Sequence, residues 1–520
     1  MKNLTLAEIQ NFKGKYPKQI WSLFFSEMWE RFCFYGMRGM LTYFMVYELF
    51  MKDDTAQLQY GAIQAFVYAF TFIGGLFADK ILGFRKSLFW GAILMITGSC
   101  ILAYNPHQFF FLGISFTVIG TGFFKPNIST MVGQLYKDGD ERRDAGFSLF
   151  YSGINLGALL GGAICIYLGK HYSWNWAFGM AAVVMTISLV NFIFTKKKLG
   201  PIGLSPLELF QQKNGALGKE YETFTAESLG DTDNDPAAKC PKKWHEYAVY
   251  ILSLAAIPLI MTMVSKTEYT NLFMYIVGPL TLIYLFWEMA KCTHSERKKL
   301  GATLVFIVFS ILFWAIYEQA GGSLSLFAAR NLNNRLLGIT VDPNSINNAA
   351  NSLFVIILAF LFSLLWLALA KKKKEPNSVV KFGLGFLFLG AGFFLFYLLR
   401  FFAGTDGVSS LNMFVVAYLV VTCGELALSP IGLSLMTKLS PMKLQGVMMG
   451  MWFLASAYGQ YLAGILGAGL SHGVNEKSSN YDYLIEYTAG YRHFAIYALI
   501  AGVVLIAISP IVRKLMQEVK

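Results

Sequence analysis

Charge is scarce in this 520-residue chain: Asp, Glu, Lys and Arg make up 14% of it, against 55% hydrophobic residues, and mean hydropathy is +0.50. So thin a polar coat excludes a soluble globular domain. The six cysteines and six histidines have no ligand spacing, with neither a CxxC nor an HExxH. A P-loop and a GxSxG elbow are also missing, which removes the usual signatures of ATP-driven pumping and of hydrolase chemistry. Cys33, Cys100, Cys165 and Cys423 fall inside apolar stretches. Cys240 and Cys292 fall in connections expected to be cytoplasmic, where thiols stay reduced. Neither a cofactor nor a metal is expected.

Apolar stretches of about 20 residues, the length that spans a bilayer as a helix, recur along the chain. Fourteen are counted, from 20–50 to 490–512. The first is too long and too polar on one face for a cleaved signal peptide. An even number of spans puts both termini on one side. The formal charge of +12 orients them: Lys13, Lys15 and Lys18, Arg85 and Lys86, Arg142 and Arg143, Lys196 to Lys198, Lys242 and Lys243, Arg297 to Lys299, Lys371 to Lys374, and Arg513 and Lys514 occupy alternate connections. Those connections and both termini are expected on the cytoplasmic side of a cytoplasmic membrane, and lipid is the surrounding partner. The basic balance thus reflects topology and does not point to nucleic acid.

The spans divide into a six-helix lobe within 1–195, a middle block over 196–299 and a second six-helix lobe within 300–520. The middle block opens with a polar linker, about 196–243, containing Gly200, Pro201, Pro206, Gly230 and the acidic run Asp231, Asp233 and Asp235. It continues with two apolar helices of low polar content, which suggests packing and leaves the relation of the two lobes intact. The stretch from Arg330 to Asn348, rich in Asn and holding Pro343, reads as an external loop or a helix extension. Two lobes joined by such a linker suit an alternating-access carrier that binds substrate between them.

Glu27, Glu30, Arg31 and Arg38 lie well inside the first span. At a cost of about 2.5–3.5 kcal/mol each near the bilayer centre, they need partners or water. At about 100° per residue Glu27, Arg31, Phe34 and Arg38 form one stripe, flanked by Glu30 and Tyr35. The stripe must face a polar cavity, and its acids and bases mark either a proton or substrate site or a static structural pairing.

Three further segments carry polar chemistry. Gly74-Gly75…Asp79…Gly83-Phe84-Arg85-Lys86 resembles the loop signature of the major facilitator superfamily. Gly75 is expected to allow close helix approach, and Asp79 to pair with basic groups or a helix N-terminus; gating or structural support fits this loop better than substrate contact. In the fourth span Lys125 precedes Pro126, which is expected to kink the helix and free a carbonyl; Lys125 either faces the cavity or snorkels to the surface. In the fifth, Asn155 serves either as helix glue or as a substrate contact.

Together these runs resemble the proton-coupled oligopeptide transporter family. The ExxERFxYYG pattern is matched at Glu27, Glu30, Arg31, Phe32, Tyr35 and Gly36, with Phe34 in place of the first tyrosine of the pair. The GGxxAD loop, the GxGxxKPN segment at Lys125 and the FxxFYxxINxG segment at Asn155 also match. In the second half Trp314…Tyr317-Glu318-Gln319, Gly424-Glu425…Ser429-Pro430 and Met451-Trp452-Phe453…Ser456 are similar to the family's seventh, tenth and eleventh core helices.

The resemblance implies an all-α polytopic protein of the major facilitator fold, two six-helix lobes with two extra helices between them, that imports di- and tripeptides with protons as a functional monomer and not as an enzyme. It implies that Arg31 and Lys125 hold the peptide carboxylate, that Asn155 and Tyr35 bond the peptide, and that Glu425, helped by Asn351, receives the amine. Trp314, Trp452, Tyr68 and Phe453 line side-chain pockets or simply pack. Arg38, Ser429 and Ser456 complete the implied binding set. Glu27 and Glu30 beside Arg31, together with Glu318, are the implied proton-coupling groups. Arg38 with Glu318, closing the outer side, and Lys125 with Glu425, binding the halves when substrate is absent, are implied gating pairs, and Asp79 and Arg85 are further gating residues. A carrier of the same fold for nitrate or an amphipathic drug is the alternative; a nitrate carrier has no need of Glu425, and a drug exporter rarely has ExxER on its first helix. A membrane-embedded hydrolase would need a nucleophile or metal cluster within the spans, and none is visible.

Overall fold

A computed structural model describes residues 4–137, 140–214, 241–441, 444–474 and 477–517, except for some side chains among 212–214, 430–437 and 445–446. The acidic run Asp231, Asp233 and Asp235, with Gly230 and Cys240, lies outside the described residues. The chain is a bundle of helices, numbered in chain order: α1 Leu6–Gln10, α2 Ile20–Tyr47, α3 Asp53–Phe77, α4 Gly83–Tyr104, α5 Pro106–Gln134, α6 Arg142–His171, α7 Trp174–Thr195, α8 Pro206–Asn214, α9 Lys243–Ser265, α10 Thr267–Ala290, α11 His294–Tyr317, α12 Ser323–Asn331, α13 Pro343–Lys371, α14 Ser378–Leu398, α15 Leu411–Leu439, α16 Gln445–Gly469 and α17 Asn480–Met516. Among the described residues eleven helical stretches are long and apolar enough to cross a membrane, one of them running through both α3 and α4. Helix α2 is not among them, because its charges depress its hydropathy.

Polar residues at the helix ends punctuate these runs. Asn105 accepts from the Gln108 amide ahead of α5, with Pro106 at the first helical position. Asp342 does the same for Ser345 at α13, and Thr293 with Glu296 and Ser479 with Asp482 form reciprocal capping boxes at α11 and α17. The segment between Arg330 and Asn348 is therefore partly helix: a two-residue hairpin, Arg335–Leu336 against Ile339–Thr340, leads into the first turns of α13. The kink expected at Pro126 is not there. Helix α5 keeps helical dihedrals through it and departs from them at Phe109.

One set of pairings occurs twice. Helix α2 packs on α6 and α7, α4 on α5 and α7, and α3 on α5; correspondingly α11 packs on α16 and α17, α14 on α15 and α17, and α13 on α15. Each group has its own apolar core. The groups meet along two seams that exchange equivalent helices, α3 with α16 and α6 with α13. At the first seam Gly61 faces Gly464 so closely that a Cβ on Gly61 would sit 2.7 Å from the Gly464 Cα. The close approach expected at Gly75 falls instead on Gly74, whose added Cβ would lie 2.2 Å from the Gly122 carbonyl oxygen, whereas Gly75 meets only the Pro126 ring at 3.6 Å.

The extra pair does more than cover one face. Helix α9 contributes Val249, Ile257, Ile260 and Val264 to the first core, and α10 contributes Leu285 to the second. Glu246 of α9 pairs with Lys86 at 2.8 Å, while on α10 the Asn271 side chain and the Met274 carbonyl accept hydrogen bonds from Tyr461 (2.6 Å) and Tyr458 of α16. The pair therefore spans both groups. Elsewhere the outer surface is apolar: Phe360, Leu361, Leu364, Leu365 and Leu367 of α13 are all exposed, as lipid contact requires.

The basic connections gather at the end that carries the linker. Gln19 bonds the Lys198 carbonyl, and Arg142 bonds the carbonyls of Phe12 and Gly14. Beside it, hydrogen bonds from Arg142 pull the Asp140 carboxyl down to about 2. Arg85 clamps the linker through the carbonyls of Gly200 (2.5 Å) and Ile202 (2.7 Å). Asp79 is exposed in a π-turn over Ala78–Leu82 and makes no ion pair among the described residues. The carbonyls freed in a linker turn outcompete a carboxylate that water already solvates.

Candidate functional site

Between the two groups lie two walls of different chemistry. The first belongs to α2, where the four-residue spacing sets Glu27 and Arg31 on one face, Arg31 Nε 2.7 Å from Glu27 Oε1. Glu30 Oε2 is 2.9 Å from the same nitrogen. All three are buried, at 2%, 0% and 2% exposure for Glu27, Glu30 and Arg31. Glu27 Oε2 and both oxygens of Glu30 receive no hydrogen bond from the described residues, so one guanidinium serves two carboxylates. Phe34, where the resemblance has tyrosine, is a platform for cations: its ring centre is 5.8 Å from the Arg31 guanidinium carbon and 5.7 Å from Lys125 Nζ. Lys125 sits closer still to the Tyr68 ring, at 4.2 Å. One turn along α2, Arg38 donates from Nε to the Tyr60 hydroxyl at 2.9 Å and pairs across the seam with Glu318.

The second wall is neutral apart from its carboxylates. Glu425 of α15 accepts from the Tyr317 hydroxyl at 2.5 Å and from the Asn351 amide at 2.9 Å. Trp314 packs edge-to-face on Tyr317, with ring centres 5.2 Å apart. Trp452 is packed within its own group, its ring filling the space a Cβ on Gly432 would need. Ser456 donates back to the Trp452 carbonyl at 3.2 Å, while Phe453 and Ser429 are half-buried. Across the seam Asn155 donates to the Tyr151 carbonyl four residues back, at 3.0 Å.

Tyr35, Arg38, Tyr317, Glu318, Asn347 and Asn351 line a cavity of about 50 Å³ between the walls. That is room for one or two waters at roughly 30 Å³ each. Of the residues singled out in the sequence, Tyr35, Arg38, Glu318 and Asn351 meet here, and Arg31, Lys125, Asn155, Glu425, Trp314 and Trp452 are not part of this lining. Tyr35 is the link: it lies within electrostatic reach of Arg31 and Arg38 on its own helix and of Glu318 and Glu425 across the seam.

The expected Lys125–Glu425 pair is not formed in this state. Lys125 keeps to the rings of Tyr68 and Phe34, and Glu425 to its neutral donors. Among the described residues three ion pairs join the two groups, Arg38 with Glu318, Lys170 with Asp342 at 2.5 Å, and Arg330 with Asp53. All lie in the half of the molecule away from the linker, where Gln57 also bonds Ser471 at 2.9 Å and Thr42 the Gly321 carbonyl at 2.5 Å. That half is closed.

Sequence reasoning missed Lys170, Asp342, Arg330 and Asp53, and most of an asparagine ladder on α13. Asn344 bonds the Ser325 carbonyl at 2.7 Å, Asn347 the Ala320 carbonyl at 2.7 Å and the Tyr418 hydroxyl at 2.6 Å, and Asn351 reaches Tyr317 and Glu425. The signal was present. Residues 344, 347, 348 and 351 are spaced along a single helical face.

The model of the POT family matches residues 85–481. Peptide transporter YePEPT of Yersinia enterocolitica subsp. palearctica is 34% identical over 470 residues, 87% of this chain and 88% of that protein. The di-/tripeptide transporter of Lactococcus lactis subsp. cremoris is 31% identical over 547 aligned residues, covering 100% of both. Among solved structures, the crystal structure of peptide transporter POT in complex with sulfate superposes with a TM-score of 0.78 at 32% identity, over 99% of each chain. With repeated six-helix groups, a two-acid, one-arginine cluster on α2 and these matches over most of its length, the chain belongs to the POT family of transporters.

Proposed function

We propose that this protein is a proton-coupled symporter that brings di- and tripeptides into the cell by alternating access. The observation that carries the reading is the separation of charge between the walls: Arg31 and Lys125 on one and Glu425 on the other, with no ion pair between Lys125 and Glu425. A zwitterion laid across the gap meets a cation at its carboxylate and an anion at its amine. Asn155 and Tyr35 supply hydrogen bonds to the peptide, Arg38, Ser429 and Ser456 polar wall, and Trp314, Tyr68, Trp452 and Phe453 apolar contact around its side chains. Glu425 has no place in a nitrate carrier, which is why the peptide reading is preferred.

Glu27 and Glu30 share one guanidinium, with Lys125 the next cation on this wall, so a carboxylate that loses its share of Arg31 is the one to take a proton. When a substrate carboxylate claims Arg31, the demand for that proton increases. Glu318 couples the same balance to the closed half through Arg38. The coupling ion is H⁺, and no further cofactor takes part. Ion pairs that exist in one state only, such as the three joining the groups here, bias the alternating-access equilibrium.

Fourteen spans, division at 195 and 299, both termini in the cytoplasm, residence in the cytoplasmic membrane and function as a monomer complete the reading. The positive-inside pattern supports the orientation. A neighbour described as tetrameric PepTSo2 superposes with a TM-score of 0.78 at 25% identity, so assembly of a related protein is compatible with this fold. The test is uptake of dialanine and trialanine by purified protein in liposomes, with pH gradient and voltage set independently. Accumulation above the outside concentration, driven by an inward proton gradient, is expected; uptake indifferent to the gradient would replace symport with facilitated diffusion.

A further inference from the structure

Tyr317 is the last residue of α11, directly before Glu318, and its hydroxyl points away from the Arg38–Glu318 pair toward the carboxylate on α15. Every hydrogen bond to Glu425 among the described residues enters at Oε2, from the Tyr317 hydroxyl at 2.5 Å and from Asn351 Nδ2 at 2.9 Å. Oε1 receives none. The two donors are themselves joined: Asn351 Nδ2 is 2.7 Å from the Tyr317 oxygen and 3.2 Å from Thr422 Oγ1, whose hydroxyl is committed to the Tyr418 carbonyl at 2.8 Å. The Tyr317 ring cannot swing away, since it stacks on Phe313 at 5.6 Å and 17° and is held edge-on by Trp314.

Two neutral donors on one oxygen orient a carboxylate without cancelling its charge, and they leave the other oxygen for a cation. A lysine in the same place would orient it and neutralise it. We propose that Tyr317 is a positioning residue of the amine subsite: with Asn351 it anchors Glu425 by Oε2 so that Oε1 meets the ammonium group of the substrate. This rests on the reading of the protein as a peptide carrier whose amine is received by Glu425. Tyr317 touches Glu425 and not the substrate, so its loss acts on ligands that carry an ammonium and leaves others alone.

The experiment compares dialanine with N-acetyldialanine in competition uptake by wild type, Tyr317→Phe, Glu425→Gln and the double variant in liposomes. In Tyr317→Phe the half-saturating dialanine concentration is expected to rise about tenfold, the size of one hydrogen bond to a charged group. The maximal rate and the weak competition by N-acetyldialanine should stay within about twofold, an outcome that a merely unstable protein would not produce. In the Glu425→Gln background Tyr317→Phe should add nothing. Asn351→Ser, which removes the other donor to Oε2, should show the same selective loss and stands in if the Phe variant does not fold. Equal weakening of both ligands, or unchanged dialanine affinity, would overturn the assignment of Tyr317. Wild type that does not distinguish the two ligands would instead overturn the amine role of Glu425, so the two failures are separable.

Discussion

The two walls of the central gap hold their carboxylates by opposite means. On α2, two acids lean on a single guanidinium, all three buried. On α15, Glu425 is held by a phenol and an amide, neither of which carries charge. In the first arrangement two acids compete for one guanidinium, so a ligand anion that claims Arg31 leaves a carboxylate to take up a proton. In the second the donors carry no charge, so neither of them cancels that of Glu425. An acid that can lose its arginine is suited to exchange protons, and an acid oriented by neutral donors is suited to meet a cation.

Breaking the first wall should have the largest effect. Arg31→Gln leaves two carboxylates without their shared partner, and removing one member of a buried ion pair costs about 3–5 kcal/mol. Dialanine uptake into liposomes should fall more than about a hundredfold, and a variant within threefold of wild type would show that the cluster is not in the transport cycle. Glu425→Gln in the second wall removes only a charge-assisted bond of about 1.5–3 kcal/mol, so affinity for dialanine should drop roughly ten- to a hundredfold. Affinity for N-acetyldialanine should change much less; an equal loss for both would move Glu425 from binding to gating.

Smaller effects come from the seams that let the walls approach. A methyl at Gly61 would lie 2.7 Å from the Gly464 Cα, and overpacking of this kind costs about 1–3 kcal/mol, here only in the state with α3 against α16. Gly61→Ala should therefore open the closed half, read as faster maleimide labelling of a cysteine placed at buried Ser471. Unchanged labelling would mean that this seam does not part. Tyr461→Phe loses the bond to Asn271 on the helix pair, worth about 1 kcal/mol, and should alter turnover less than about fivefold. A complete loss of transport would give the pair a far larger part than bracing.

The ionic wall was legible in the sequence because helical periodicity alone brings Glu27, Arg31 and Arg38 to one face, and because charges in an apolar run have few structural alternatives. The repeated six-helix plan was legible for the same reason, as apolar stretches and basic connections alternate. The neutral wall was not. Tyr317 stands in the sequence only as part of a run similar to the family's seventh core helix, and its bond to Glu425 depends on how α11, α13 and α15 pack, which no local spacing encodes. Gly75 and Gly74 are one residue apart, and only the rotation of α3 decides which meets the Gly122 carbonyl. Arg85 marks a cytoplasmic connection in the sequence, but the linker that it clamps is more than a hundred residues away. Lys125 and Glu425 stand apart here, whereas the resemblance implies a pair that binds the halves when substrate is absent.

The division of labour between the walls is tested most directly by Glu30→Gln in liposomes, measured two ways. Dialanine counterflow, which needs no net proton movement, should proceed at a rate within a few-fold of wild type. Accumulation driven by an inward proton gradient should be lost, because the amide holds no exchangeable charge beside Arg31. Gradient-driven accumulation equal to wild type would contradict the account, and so would loss of both activities in a folded variant that no longer binds dialanine.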